Sequence, residues 1–127
     1  MNKRILVDTS IWVEYFNRPE SEYAQRLAEF LEMEAVCVTG IILAELLQGA
    51  KTDAEFELLR KNLKVLPPLK ESEKTWEKVG KLSFELQRKD TVIPLTDCLI
   101  AVLAQENNCQ VFTLDNHFTY VPQLEII

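Results

Sequence analysis

The chain has 127 residues, 47% of them hydrophobic and 27% charged, with a net charge of −6. This suits one compact domain over residues 1–127 and excludes a disordered chain. No apolar run approaches the roughly 20 residues of a membrane helix. The opening stretch to Asp8 lacks the apolar core of a signal peptide, so a cytoplasmic protein without membrane partners is expected.

Ile5-Leu6-Val7 is a short apolar run ended by Asp8, and it reads as a buried strand. A short helix carrying Trp12, Tyr15 and Phe16 follows, broken at Asn17-Arg18-Pro19. Tyr23, Leu27, Phe30 and Leu31 recur at helical spacing and predict a helix over about residues 21–33. Ala35 to Val38 is a second strand, and Gly40 to Ala50 is helical, ending near Gly49. Phe56, Leu59 and Leu63 mark another helix, with Val65-Leu66 as a short strand before Pro67-Pro68. Ser72 caps a long helix holding Trp76, Val79, Leu82 and Leu86. Thr96 caps the next, which runs to about Asn107. Val111 to Leu114 is a further strand, and Glu125-Ile126-Ile127 is a last edge strand. Strands alternating with helices imply an α/β fold with a mainly parallel sheet.

Cys37, Cys98 and Cys109 are odd in number and form no CxxC pair, which argues against a disulfide framework and a zinc site. Cys37 and Cys98 read as small core residues. Nothing supports a reactive role for Cys109. The acidic balance argues against a broad basic face for nucleic acid. Lys3-Arg4, Arg60-Lys61 with Lys64, and Arg88-Lys89 read as ordinary solvated surface.

Ligands of parallel α/β sheets sit beyond the carboxyl ends of the strands. Asp8 follows the first strand and Asp115 follows Val111 to Leu114, so both carboxylates share a crevice if these strands are neighbours. Each Asp has a simpler role available. Asp8 and Asp115 could cap the short helices after them, and Asp97 could sit in a first helical turn. Glu45 is harder to excuse, because it lies mid-helix among Ile41, Ile42, Leu43, Leu46 and Leu47. A carboxylate on a helix that apolar should be buried, and burial is costly without a partner or a cation. The segment after Asp97, Cys98 to Ala104, has no polar face, so its helix is central. Four acids in one crevice repel, and a divalent cation with all-oxygen ligands resolves this.

Val7-Asp8-Thr9-Ser10, Leu43-Ala44-Glu45-Leu46 with Gly49, Thr96-Asp97-Cys98-Leu99-Ile100-Ala101, and Thr113-Leu114-Asp115 with Phe118 together resemble the PIN domain. More narrowly they resemble the VapC-type toxins of prokaryotic toxin–antitoxin pairs. The resemblance covers nearly the whole chain. It implies a three-layer sandwich around a central, mainly parallel sheet of four to five strands. It also implies Mg2+- or Mn2+-dependent cleavage of RNA, transfer or ribosomal RNA being the usual targets. By motif match, Asp8, Glu45, Asp97 and Asp115 are the acidic, metal-holding residues, while Ser10 and Thr113 are positioning hydroxyls. Many relatives carry a further acid two residues after Asp115. Here that place holds His117, the only histidine, which reads as exposed polar surface. A homodimer and a small antitoxin are the implied protein partners, and Trp12, Tyr15 and Phe16 are candidates for the apolar surface they use.

Two other functions are weighed against the endoribonuclease. An aspartyl-nucleophile phosphatase would place a second Asp two residues after Asp8, where Ser10 stands. A non-catalytic module of the same fold would not need the complete acidic set.

Overall fold

The structure, a computed structural model, describes residues 3–127. Four strands form one parallel sheet: β1 (Ile5–Val7), β2 (Val36–Thr39), β3 (Pro68–Leu69) and β4 (Gln110–Phe112). Six helices connect them: α1 (Thr9–Asn17), α2 (Glu22–Glu32), α3 (Gly40–Gln48), α4 (Asp53–Lys64), α5 (Glu73–Arg88) and α6 (Leu95–Glu106). The strand order is β3-β2-β1-β4, so β1 is central and the late strand β4 lies beside it. Register pairs Ile5 with Val36 on one side and with Gln110 on the other.

Ile5, Leu6 and Val7 are all buried. Successive side chains of a strand point to opposite faces, so helices must cover both faces of the sheet, giving three layers. The helices pack largely in pairs, α1 against α2 and α3, α3 against α4, and α5 against α6. Helix α6 buries every residue from Cys98 to Ala104, as its lack of a polar face predicts.

Several expectations need correction. Val65 and Leu66 form no strand: Val65 caps α4 and is exposed, and the short strand comes later, at Pro68–Leu69. Pro68 sits on the edge strand, where a missing N–H costs little. Thr96 does not cap α6. Pro94 is the N-cap, and its carbonyl accepts from Asp97 and Cys98 N–H at 3.0 and 3.2 Å. Residues 125–127 give a single bridge, Ile126 to Val111, rather than a strand. Ser72 does cap α5, in a reciprocal box with Thr75, but Trp76 on that helix is exposed. All three cysteines are free and buried.

Helices α2, α5 and α6 end with Glu34, Asp90 and Asn108 in the left-handed region, at φ 55, 59 and 53°. In each case the following N–H bonds back to the last turn, as in Ala35 to Phe30, so the sharp return toward the sheet is made without glycine.

Candidate active site

Strands β1 and β2 both hand over to a helix with no loop. Asp8 directly follows β1 and Thr39 is the last residue of β2, and each is an N-cap residue with extended backbone. Thr39 caps α3 with its side chain, accepting from Ile42 N–H. Asp8 makes no side-chain cap among the described residues. Its carboxylate turns elsewhere, and forgoing that cap costs about 1 kcal/mol of helix stability.

Asp8 is only 6% exposed. Its Oδ2 accepts from Thr113 Oγ1 at 2.8 Å and from Ser10 Oγ at 3.0 Å. Both hydroxyls are in turn oriented by backbone. Leu114 N–H donates to Ser10 Oγ at 3.0 Å, and Asp115 N–H donates to Thr113 Oγ1 at 2.9 Å. With one lone pair engaged by an amide N–H, each hydroxyl is oriented so that its proton points toward Asp8. The other oxygen, Asp8 Oδ1, takes part in no hydrogen bond among the described residues.

Asp115 does cap: its Oδ1 accepts from His117 N–H at 2.9 Å and starts a single turn of 3-10 helix over Asn116–Tyr120. That turn swings the His117 ring back over the start of α6. His117 Nδ1 lies 2.9 Å from Asp97 Oδ2 and 3.2 Å from Asp115 Oδ1. Asp97, in the first turn of α6, therefore meets Asp115 through the ring. One ligand atom from each of Asp97, Asp115 and His117 lies within 4.8 Å of the others.

Glu45 reaches the crevice from α3. It is not buried in the core, as its apolar neighbours suggested. Among the residues of α3, Ile42 and Leu46 are the fully buried ones, and Glu45 is half-buried on another face. Its Oε1 accepts from Thr9 Oγ1 at 3.2 Å. Glu45 and Asp8 stand outside the tight Asp97–Asp115–His117 group but within reach of its charge.

The electrostatics are those of crowded acids. Burial pushes the Asp97 carboxyl above its usual value; the His117 hydrogen bond opposes this, and the charges of Asp115 and Asp8 add to it. Burial also raises Glu45, against the Thr9 hydrogen bond and with help from Asp8 and Asp97. The hydrogen bond to Asp97, then the charges of Asp115 and Asp97, raise the His117 imidazole despite some desolvation.

The structure brings all six expected residues to one crevice and adds Thr9 and His117 as hydrogen-bond partners of Glu45 and Asp97. Thr9 had no signal beyond its place after Asp8. His117 read as exposed surface, and its signal was the Asp-x-His spacing, which suits an Asp cap that brings the second following residue back. Of the three aromatics, Trp12 is core, Tyr15 is half-buried, and Phe16 is the one left open to solvent.

A family model for the PIN domain matches residues 5–124. The chain belongs to the PIN-domain family, among its VapC-type members. Ribonuclease VapC11 of Mycobacterium tuberculosis is 30% identical over 124 residues, covering 94% of this chain and 92% of the relative. Among solved structures, VapBC2 from Rickettsia felis, bound to a DNA fragment from their promoter, superposes with a TM-score of 0.81 at 26% identity. That match covers 97% of this chain and 96% of the other. DNA-bound VapBC from Salmonella typhimurium also gives 0.81, at 25% identity, covering 99% and 98%. Within the PIN-domain fold, the strand order found here puts Asp8 and Asp115 at the carboxyl ends of adjacent strands.

Proposed function

We propose that this protein is an endoribonuclease that hydrolyses RNA phosphodiester bonds with a divalent cation, acting in the cytoplasm as the toxin of a toxin–antitoxin pair. The observation that carries this is the buried Asp8. One of its oxygens is saturated by two aligned hydroxyls, and the other is free beside Asp97 and Asp115. An anionic oxygen left open at a crevice that it shares with further carboxylates favours a cation there. The donor set around it is rich in carboxylate oxygen, which fits Mg2+ or Mn2+. Asp8, Asp97, Asp115 and Glu45 are the residues that would hold it. When bound, such a cation polarises the phosphodiester and lowers the pKa of a water.

The chain's own groups do the rest. Ser10 and Thr113 hold Asp8 Oδ2 and so fix which oxygen faces the crevice. Asp115 is immobilised by its own cap. Thr9 holds Glu45 Oε1, which leaves Oε2 to take a proton from an attacking water. The upward shift of Glu45 brings that proton transfer nearer to neutral pH.

Transfer or ribosomal RNA is the substrate class that the family resemblance implies. The antitoxin reading has support beside the site. A groove of about 280 Å³ runs past Thr9 and Glu45 and is lined by Val13, Phe16 and Leu58. All three of these apolar side chains are exposed. A partner's apolar segment seated there would reach the carboxylates. A homodimer completes the proposed assembly. No helix among the described residues is long and apolar enough to cross a membrane.

Purified protein incubated with cellular RNA should cleave it with Mg2+ or Mn2+ and stop with chelator, and Asp8→Asn should abolish cleavage in a folded protein. Sequencing the new RNA ends identifies the target. An Asp8→Asn protein that cuts as fast as the parent overturns the mechanism.

A further inference from the structure

We propose that His117 is a direct ligand of the site's divalent cation through Nδ1, making a mixed nitrogen–oxygen centre that favours Mn2+ over Mg2+. The inference rests on the reading above that a cation sits among these carboxylates.

The first argument is spacing. A six-coordinate cation with ligands at about 2.1 Å holds adjacent ligand atoms about 3.0 Å apart. His117 Nδ1 already stands 2.9 Å from Asp97 Oδ2 and 3.2 Å from Asp115 Oδ1, the edge lengths of such an octahedron. A ring that merely lay on the surface would turn either nitrogen to water. Here one nitrogen is committed to both carboxylates.

The second argument is rigidity. The backbone N–H of His117 donates to Asp115 Oδ1, so ring and carboxylate arrive as one unit built by a single turn. The neighbouring Phe118 is fully buried and anchors that turn in the core. The position of Nδ1 therefore does not depend on a free side chain finding its place.

The third argument comes from outside the cluster. Asp8 is nine-tenths buried, and its Oδ1 has no hydrogen-bond donor among the described residues. Its charge acts on Asp97. It adds a further negative charge beside the Asp–Asp–His set, which strengthens the pull of the crevice on a divalent ion.

Chemistry then decides the metal. Mg2+ is a hard ion that keeps its waters and gains little from an imidazole nitrogen. Mn2+ takes the same carboxylate oxygens and, as the first member of the transition series, gains more from one nitrogen ligand than Mg2+ does. The proton that Nδ1 shares with the carboxylates leaves to solvent, Nε2 keeps its own proton, and the neutral ring donates its Nδ1 lone pair.

The chain's single histidine makes the test direct. Untagged protein grown with 15N-histidine is loaded with Mn2+ and studied by pulsed electron paramagnetic resonance, beside the unlabelled protein. A nitrogen coupling that changes with the label, and is lost in His117→Gln, is the expected result. By calorimetry, His117→Gln should lower Mn2+ affinity at least about tenfold, the scale on which even outer-sphere partners act, and Mg2+ affinity far less. His117→Asp should return the preference to Mg2+. Bound Mn2+ without a nitrogen coupling overturns this inference and leaves the all-oxygen nuclease standing. A folded parent that binds no Mn2+ overturns both.

Discussion

Thr113 Oγ1 donates to Asp8 Oδ2 at 2.8 Å while accepting from Asp115 N–H at 2.9 Å, so one hydroxyl ties the acid after β1 to the backbone after β4. Thr113→Val keeps the shape and removes the donor. The buried Asp8 then loses one of two hydrogen bonds, and the Asp115 amide loses its acceptor. Leaving buried groups unpaired costs about 1–3 kcal/mol. We expect a lower Tm and a fall in cleavage of about tenfold or more, with Thr113→Ser close to the parent. Equal activity in Thr113→Val and the parent would show that Asp8 needs no second anchor.

Glu45 gives a pH prediction whose sign follows from its raised pKa. The folded state holds this proton more tightly than the unfolded chain does. Its contribution to stability is therefore greatest at acid pH and is lost as pH rises through the folded value. Without metal, Glu45→Gln should raise Tm at neutral pH. It should also flatten the pH dependence across the window that begins near the ordinary value of 4.5. Thermal melts in chelator at several pH values check this, and an unchanged slope would refute it.

Leu58 on α4 is 61% exposed and lines the groove beside Glu45. Leu58→Asp should leave the unfolding free energy within about 0.5 kcal/mol of the parent, as exposed substitutions do. It should leave cleavage by the free protein intact. Co-purification with the proposed antitoxin should be lost. Retained binding would move the antitoxin to another surface.

With a net charge of −6, RNA binding is expected to draw on a few Lys or Arg near the crevice rather than on a broad basic face. At a slope of roughly −0.7 per contact for single strands, about four contacts give a log–log salt slope near −3. Titrations of Asp8→Asn with RNA at several salt concentrations should fall at or below that steepness. A much steeper slope would reveal an extended basic track.

How much of this was legible in sequence depends on what each residue needed. Asp8 was legible because an apolar run buried on both faces ends at it. Asp115 was only partly legible: the strand expected over Val111–Leu114 is Gln110–Phe112, so Asp115 lies three residues beyond β4, after the half-buried Thr113 and the exposed Leu114. Glu45 does face the crevice, but not because its helix is core all round: apolar neighbours on α3 do not make every face of it buried. The start of α6 was misread, since Thr96 looks like a cap, whereas Pro94 with its φ near −56° begins the helix sooner. His117 was invisible to periodicity. Its position comes from one capped turn, and such a turn is a matter of backbone geometry rather than of residue spacing.

The placing of β4 beside β1 also sets a clock. Asp8 and Asp115 are neighbours in space yet 107 positions apart in the chain. Translation at about 5–20 residues per second separates their synthesis by about 5–20 s. Throughout that interval the growing chain carries Asp8 with neither Thr113 to orient it nor Asp115 to share a cation. A nascent chain of this design carries only half of its acidic crevice until the last strand of its sheet has been made.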